Sequence, residues 1–302
     1  MTGSVRFGLV AGFAAFSIWG FLPLYIRALD SVGPMELWAH RIIWSVPTAF
    51  ILITIAARWA DVRAALSSRN AWWLLLSGFL VGSNWLIYIF AVSIERTLEA
   101  SIGYYMNPIV NVLFGMLFFA ERLRIAQWLS VAIAATGVAV ATWAYGQVPY
   151  LALALCITFA LYSVIRKQIV VDSRAGFLIE VLGLLPLALG WMIWFQFQPD
   201  GRLTGGGGWT LSLLMLAGPL TATPLILFAL AAKRLRLSTV GMMQYTAPTL
   251  QFLIGVLVFR ESFTWIHLAA FGCIWLALII FTTDSMMGDA RAKRLARAAR
   301  VT

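Results

Sequence analysis

The sequence predicts an all-α polytopic membrane protein with ten transmembrane helices in two inverted five-helix repeats. Three observations carry this. Hydrophobic residues make up 62% of the chain and charged residues only 11%, against about a quarter charged in a soluble domain. The stretch Leu98 to Glu121 reappears in altered form as Ser238 to Glu261. A shift of 140 superimposes Pro108 on Pro248, Gly115 on Gly255 and Tyr105 on Tyr245, and also Tyr104 on Gln244 and Asn111 on Gln251. Each copy runs about 20 residues without charge before its closing Glu, the length that crosses ~30 Å of hydrocarbon. The third observation is the segregation of basic residues described below.

The first span, about 7–25, follows Arg6 and has no small-residue cleavage site before its polar end, so it reads as uncleaved. Gly8 and Gly12 within it suit close helix packing. A turn at 30–34 leads to span two, about 35–56. The polar segment 57–70 separates it from spans three (71–92), four (98–119) and five (125–144), and the turn Gly146 to Pro149 closes the first half. The second half repeats the plan with spans at about 150–165, 176–197, 209–232, 238–259 and 264–283. The units are thus residues 1–146 and 147–285, followed by a basic tail at 286–302. Trp59, Trp72, Trp73, Trp128, Trp143, Trp209 and Trp265 fall near span ends, where indole rings anchor a protein at the membrane interface.

A cytoplasmic amino terminus puts Arg6, the arginines of 57–70, Arg122, Arg124, Arg166, Lys167, Arg174, Lys233, Arg234, Arg236 and the tail charges inside. Only Arg27, Arg41, Arg96, Arg202 and Arg260 of the 22 Lys and Arg residues lie elsewhere. The positive-inside rule then sets the orientation, with both termini cytoplasmic. Five spans per repeat is an odd number, so the second repeat is inverted relative to the first, and Glu121 and Glu261 end their helices on opposite sides. Many secondary transporters use that plan. The net charge of +10 is accounted for by this asymmetry, and no basic soluble face for nucleic acid remains.

The segments SIWGFLPLY (17–25), HRIIWS (40–45), NWLIY (84–88), LEASIGYYMNPIVNVLFGM (98–116), RLRLST (234–239) and QYTAPT (244–249) resemble the RarD-type branch of the EamA drug/metabolite transporters. Ser93 to Arg96 and Gln251 depart from the pattern. The resemblance implies a cell-membrane carrier with a central cavity between its inverted halves, a permease or exporter of metabolites or drugs.

The residues supply candidate sites independently. Tyr104, Asn107 and Asn111 share one helical face at i, i+3 and i+7, and Gln244 and Gln251 repeat it in the other half. Asn84 and Tyr88 add a polar pair at i, i+4. These amides and phenols either bind a polar, zwitterionic or aromatic solute or bond neighbouring helices. Pro108 and Pro248 kink the two copies and free backbone carbonyls in mid-span, which a protein or watery environment must satisfy. Glu36, His40 and Arg41 open span two; Glu180 lies near the inner end of span seven, at the position equivalent to His40. This group serves either coupling or gating, with His40 and Glu180 as proton-sensitive groups at opposite mouths, or local ion pairs such as Glu36 with Arg41 and Glu180 with Arg174. His267 reads as interfacial.

Cofactors and metals are not expected. The glycine run 205–208 is followed by Trp209 rather than the Lys and Ser or Thr of a phosphate loop, so ATP-driven transport has no support. Cys156 and Cys273 are isolated in apolar runs and suit core filling. The partners are the lipid bilayer, a small organic solute and, for coupling, protons. A membrane accessory or flippase-like role is the alternative, and an intramembrane enzyme a further one, though no nucleophile with its base is evident.

Overall fold

The structure is a computed structural model that describes residues 2–94, 96–198, 203, 207–260 and 265–298. Among these residues it is helical without a strand. The helices are α1 (Thr2–Arg27), α2 (Pro34–Ile55), α3 (Trp59–Leu66), α4 (Asn70–Ser93), α5 (Thr97–Phe119) and α6 (Ile125–Tyr145), then α7 (Tyr150–Gln168), α8 (Ser173–Gln196), α9 (Gly208–Arg234), α10 (Leu237–Met243), α11 (Thr246–Leu257) and α12 (Trp265–Ala298). Among the described residues, α1, α2 and α4 to α9 are each long and apolar enough to cross a membrane. Helices suit that environment because they satisfy every backbone donor and acceptor internally. Large apolar side chains such as Val10, Ile51, Phe79, Leu117 and Ile193 point outward. The chain is a multi-pass integral membrane protein.

Three elements differ from the sequence reading. The polar segment 57–70 holds α3, whose Val62 and Ala65 are buried. The stretch expected as one ninth span is broken at Gln244 and Tyr245 into α10 and α11. Pro248 has no N–H to donate to the Gln244 carbonyl four residues back, and its ring crowds that carbonyl. The Ala247 N–H takes over the carbonyl at 3.1 Å, tightening the turn. The backbone of the basic tail continues α12 as helix to Ala298. Glu261, Arg202 and residues 205–206 of the glycine run lie outside the described residues.

Helix ends follow local chemistry. Asp172 caps α8 by accepting the Arg174 N–H at 3.0 Å. Partial burial pushes the Asp172 carboxyl up, but the hydrogen bonds from the Arg174 side chain and backbone outweigh burial and hold it below the usual range. Ala120 ends α5 in the left-handed region (φ 49°), a conformation costly for a residue with a Cβ. That turn sends Glu121 sideways toward α10.

Helix pairings come in matched sets. α1 packs on α9 as α7 packs on α4, α2 on α9 as α8 on α4, and α5 on α7 as α11 on α1, while α5 meets α10, α6 meets α12 and α2 meets α8. The match extends to single residues. A methyl added at Gly103 would lie 3.0 Å from Ala152 Cα, and one at Gly12 would lie 2.6 Å from Met243 Cε. These contacts exchange places under the 140-residue shift, since Gly103 corresponds to Met243 and Gly12 to Ala152. Likewise the Ser130 hydroxyl donates to the Ala277 carbonyl at 2.6 Å, and Gly137 lies against the Ala270 carbonyl.

Two outcomes are expected in detergent. Gly218→Ala would place a methyl 2.2 Å from the Trp44 carbonyl oxygen and should lower stability by about 1–3 kcal/mol in thermal unfolding. Gly190→Ala, with open space around it, should not. Asp172→Ala should cost about 1 kcal/mol at neutral pH. Because the native carboxyl is depressed, that contribution is present above the unfolded value, about 3.9, and is lost as pH falls through the lower native one. Unequal losses in the two glycine variants, and a parent-to-D172A gap that closes in acid, are the readouts.

Candidate functional site

Six helical segments converge on a cavity of about 190 Å³. α2 contributes Arg41, α4 Asn84 and Tyr88, α5 Tyr104 and Asn107, and the α10–α11 break Gln244 with Pro248 and Gln251. The walls between them are aromatic, with Phe16 and Trp19 from α1, Trp85 from α4 and Phe159 from α7. The structure therefore brings six of the seven expected solute-binding residues around one space. It also brings in α1 and α7, which sequence reasoning missed. On α1 the signal was present: Phe16, Trp19, Pro23 and Ile26 recur at spacings of three and four, one stripe of a helix.

Each amide is set by a different neighbour. Asn84 Nδ2 donates to the Leu155 carbonyl at 2.7 Å and to Thr158 Oγ1 at 2.9 Å, tying α4 to α7. Gln251 Nε2 donates to the Trp19 carbonyl at 3.0 Å. That carbonyl lies four residues before Pro23, which cannot donate to it, so Gln251 supplies the bond that the proline withholds. Asn111 is wholly buried and does not line the cavity; its Nδ2 donates to Gln244 Oε1 at 2.9 Å and to the Asn107 carbonyl at 3.2 Å. Tyr88 and Tyr104 face each other with ring centroids 5.6 Å apart. Their hydroxyls have no protein partner among the described residues.

The ionisable residues separate into two groups. Arg41 is at the cavity, its Nε donating to Thr221 Oγ1 at 3.1 Å and its Cζ lying 4.5 Å from the Trp85 ring centroid. It does not pair with Glu36. Glu36 is buried with its Oε1 3.9 Å from His40 Nε2, and neither residue lines the cavity. Glu180 is also buried and away from the lining. The expected pair with Arg174 is corrected: Arg174 binds Asp172, and Glu180 Oε1 is 3.2 Å from Arg166 Nη1 and accepts from Ser77 Oγ at 2.5 Å. Arg174 sits at the first turn of α8 beside its cap, whereas Arg166 reaches inward from α7. Its Nη2 donates to the Ser173 carbonyl, and Gly176 makes room, since a methyl there would lie 2.1 Å from Nη1. The pair braces α4, α7 and α8.

Beside the cavity, α5 and α10 close against each other. A methyl at Gly241 would lie 2.8 Å from the Pro108 carbonyl, so Pro108 sits in this contact rather than in the lining. Glu121 accepts from the Leu237 N–H (2.6 Å), the Ser238 N–H (3.0 Å) and the Ser238 hydroxyl (2.7 Å). A carboxylate thus meets the exposed donors at the start of α10, where the helix dipole favours it. Lys167 and Arg236 flank it at 4.0 and 3.7 Å. His267 lies in α12 by its backbone.

The EamA-like transporter family matches residues 6–143. An uncharacterized transporter of Vibrio cholerae is 42% identical over 95% of this chain and 95% of its own length. Protein RarD of Escherichia coli is 38% identical, covering 96% and 98%, and the chloramphenicol-sensitive protein RarD of Pseudomonas aeruginosa is 31% identical, covering 92% and 94%. A crystal structure at 21% identity superimposes with a TM-score of 0.72 over 91% of this chain and 97% of that one, a likeness of fold. An all-helical membrane protein with a polar cavity among its helices, and with such relatives, is a membrane transporter. The chain belongs to the RarD-type branch of the EamA-like transporter family.

Glu180→Gln leaves Arg166 buried without its counter-charge and should cost about 3–5 kcal/mol, read as a lower midpoint in thermal unfolding of the purified protein. Unchanged stability with loss of a pH-gradient response would instead assign Glu180 to proton coupling.

Proposed function

We propose that the protein is a secondary transporter of small organic solutes, working by alternating access between two inverted repeats, 1–146 and 147–285. The observation that carries this reading is the cavity itself: amides, phenols and a guanidinium gathered among aromatic walls inside a membrane protein. Counting α10 with α11 as one crossing and α12 as another gives ten. The exchange of Gly103–Ala152 with Met243–Gly12, and the matched helix pairings, support a two-fold relation between the halves. With both termini cytoplasmic, most of the cavity lining falls in the outer halves of the helices. The Glu121 contact then lies on the cytoplasmic side, which makes this an outward-facing state. An ion or solute gradient drives movement, and the sensitivity named for the Pseudomonas relative makes a drug or metabolite a reasonable cargo class.

Counterflow in proteoliposomes tests the reading, using a labelled metabolite extract. A transporter exchanges label unchanged, an enzyme converts it, and an accessory protein does neither. Asn107→Leu and Gln244→Leu should each slow exchange by about 3- to 10-fold, the loss of one neutral hydrogen bond; Asn107→Leu should keep its thermal stability, whereas Gln244→Leu also removes the acceptor of buried Asn111 and should lower it. Full exchange in both would leave these amides to helix packing. For topology, cysteine placed at Val148 should react with an impermeant maleimide in intact cells, and cysteine at Ala64 only after lysis. Reaction of both in intact cells would remove the inverted arrangement.

A further inference from the structure

We infer that the solute is an organic monocarboxylate with a compact aromatic or bulky apolar body, its carboxylate bound by Arg41. This rests on the transport reading above and names the class of cargo. Arg41 is a cation seated within the membrane span α2, where a charge normally persists by pairing or by serving a pathway. Among the described residues no carboxylate pairs with it, and the cavity lining contains neither Asp nor Glu. A guanidinium does not escape this cost by losing its proton.

The donors already in use say how the anion sits. Nε is taken by Thr221, and the guanidinium lies over Trp85, which leaves Nη1 and Nη2 as an end-on fork that matches two carboxylate oxygens. Tyr88 and Tyr104 line the cavity together with Arg41. Tyr25 spends its hydroxyl proton on the Leu213 carbonyl, whereas Tyr88 and Tyr104 have theirs to offer. Asn111 occupies Gln244 Oε1, and Gln244 Nε2 is a further donor without a protein acceptor among the described residues. The Tyr88 and Tyr104 hydroxyls and Gln244 Nε2 suit a negative charge, while Asn107 Oδ1, buried without a hydrogen-bond partner among the described residues, is an acceptor.

One cation and no second charge in the lining fix the count. A monoanion neutralises Arg41, while a dianion such as a phosphate monoester would bring an uncompensated charge against aromatic walls. The rest of the solute meets Trp19, Trp85, Phe16 and Phe159. The cavity, at about 190 Å³, lies below the ~300–1,000 Å³ usual for ligand pockets, so the body is of single-ring size.

The test uses the purified full chain in lipid nanodiscs and four probes of similar shape: phenylacetate, phenylacetamide, phenethylamine and phenyl phosphate. Phenylacetate should raise the thermal unfolding midpoint at concentrations about 10- to 100-fold below the other three, the worth of a charge-assisted hydrogen bond. Arg41→Gln should erase that preference, and Arg41→Lys should keep it in weakened form. The comparison of probes on the parent protein needs no variant to fold. Equal or stronger stabilisation by the amide, the amine or the phosphate, or none by phenylacetate, would overturn the assignment, as would a preference that survives in R41Q. Phenylacetate that binds but shows no counterflow in proteoliposomes would overturn the transport reading and leave the anion site standing. Counterflow of the amide or amine in its place would do the reverse.

Discussion

The crossing of α5 with the broken pair α10–α11 is the contact on which the rest of this structure depends. Tyr105 and Tyr245 occupy equivalent places in the two halves, and the Tyr245 hydroxyl donates to the Tyr105 carbonyl at 3.2 Å. On one side of that point Gly241 lets α10 rest on the Pro108 carbonyl, and Glu121 caps α10 from the end of α5. On the other side the break at Gln244 swings α11 toward α1, and the cavity occupies the space between. Closure and cavity are two consequences of one proline: where α5 runs through Pro108 without interruption, α10–α11 breaks before Pro248.

The protein treats its membrane-embedded arginines in opposite ways. Arg166 pairs with Glu180, which also accepts from Ser77, and donates to a backbone carbonyl; this compensates its charge locally and braces three helices. Arg41 has a hydroxyl and an indole face but no carboxylate among the described residues. A charge in low dielectric is costly unless it is paired, so the first charge is paired within the protein and the second is completed from outside. That difference separates framework from binding surface more sharply than burial does.

Gln251 shows how function and framework share residues. Its side chain lines the cavity, yet its Nε2 is committed to the carbonyl freed by Pro23. Asn84 is similar, with its amide nitrogen tied to α7. Prolines in α1, α2, α5, α8, α9 and α11 each remove a donor, and polar side chains near a cavity are the natural replacements. A polar stripe in a membrane helix therefore does not distinguish a solute ligand from a backbone repair.

By itself the sequence determined the class of protein, because length, hydropathy and the near absence of charge leave a chain in hydrocarbon no option but helices. Residue types also limited the chemistry to amides, phenols and a few charges, and helical spacing put Tyr104 beside Asn107. Partner choice was decided only in three dimensions. Glu180 had Arg174 nearest in sequence, but Asp172 is one turn closer to Arg174, and α7 carries Arg166 into reach of the carboxylate from fourteen residues away. The break at Gln244 was open as well, since Pro108 and Pro248 look alike in sequence. Arg41 changed most: beside Glu36 in the chain it reads as an ion pair, and only the packing of α2 against α9 and α4 turns it onto Thr221, Trp85 and the cavity.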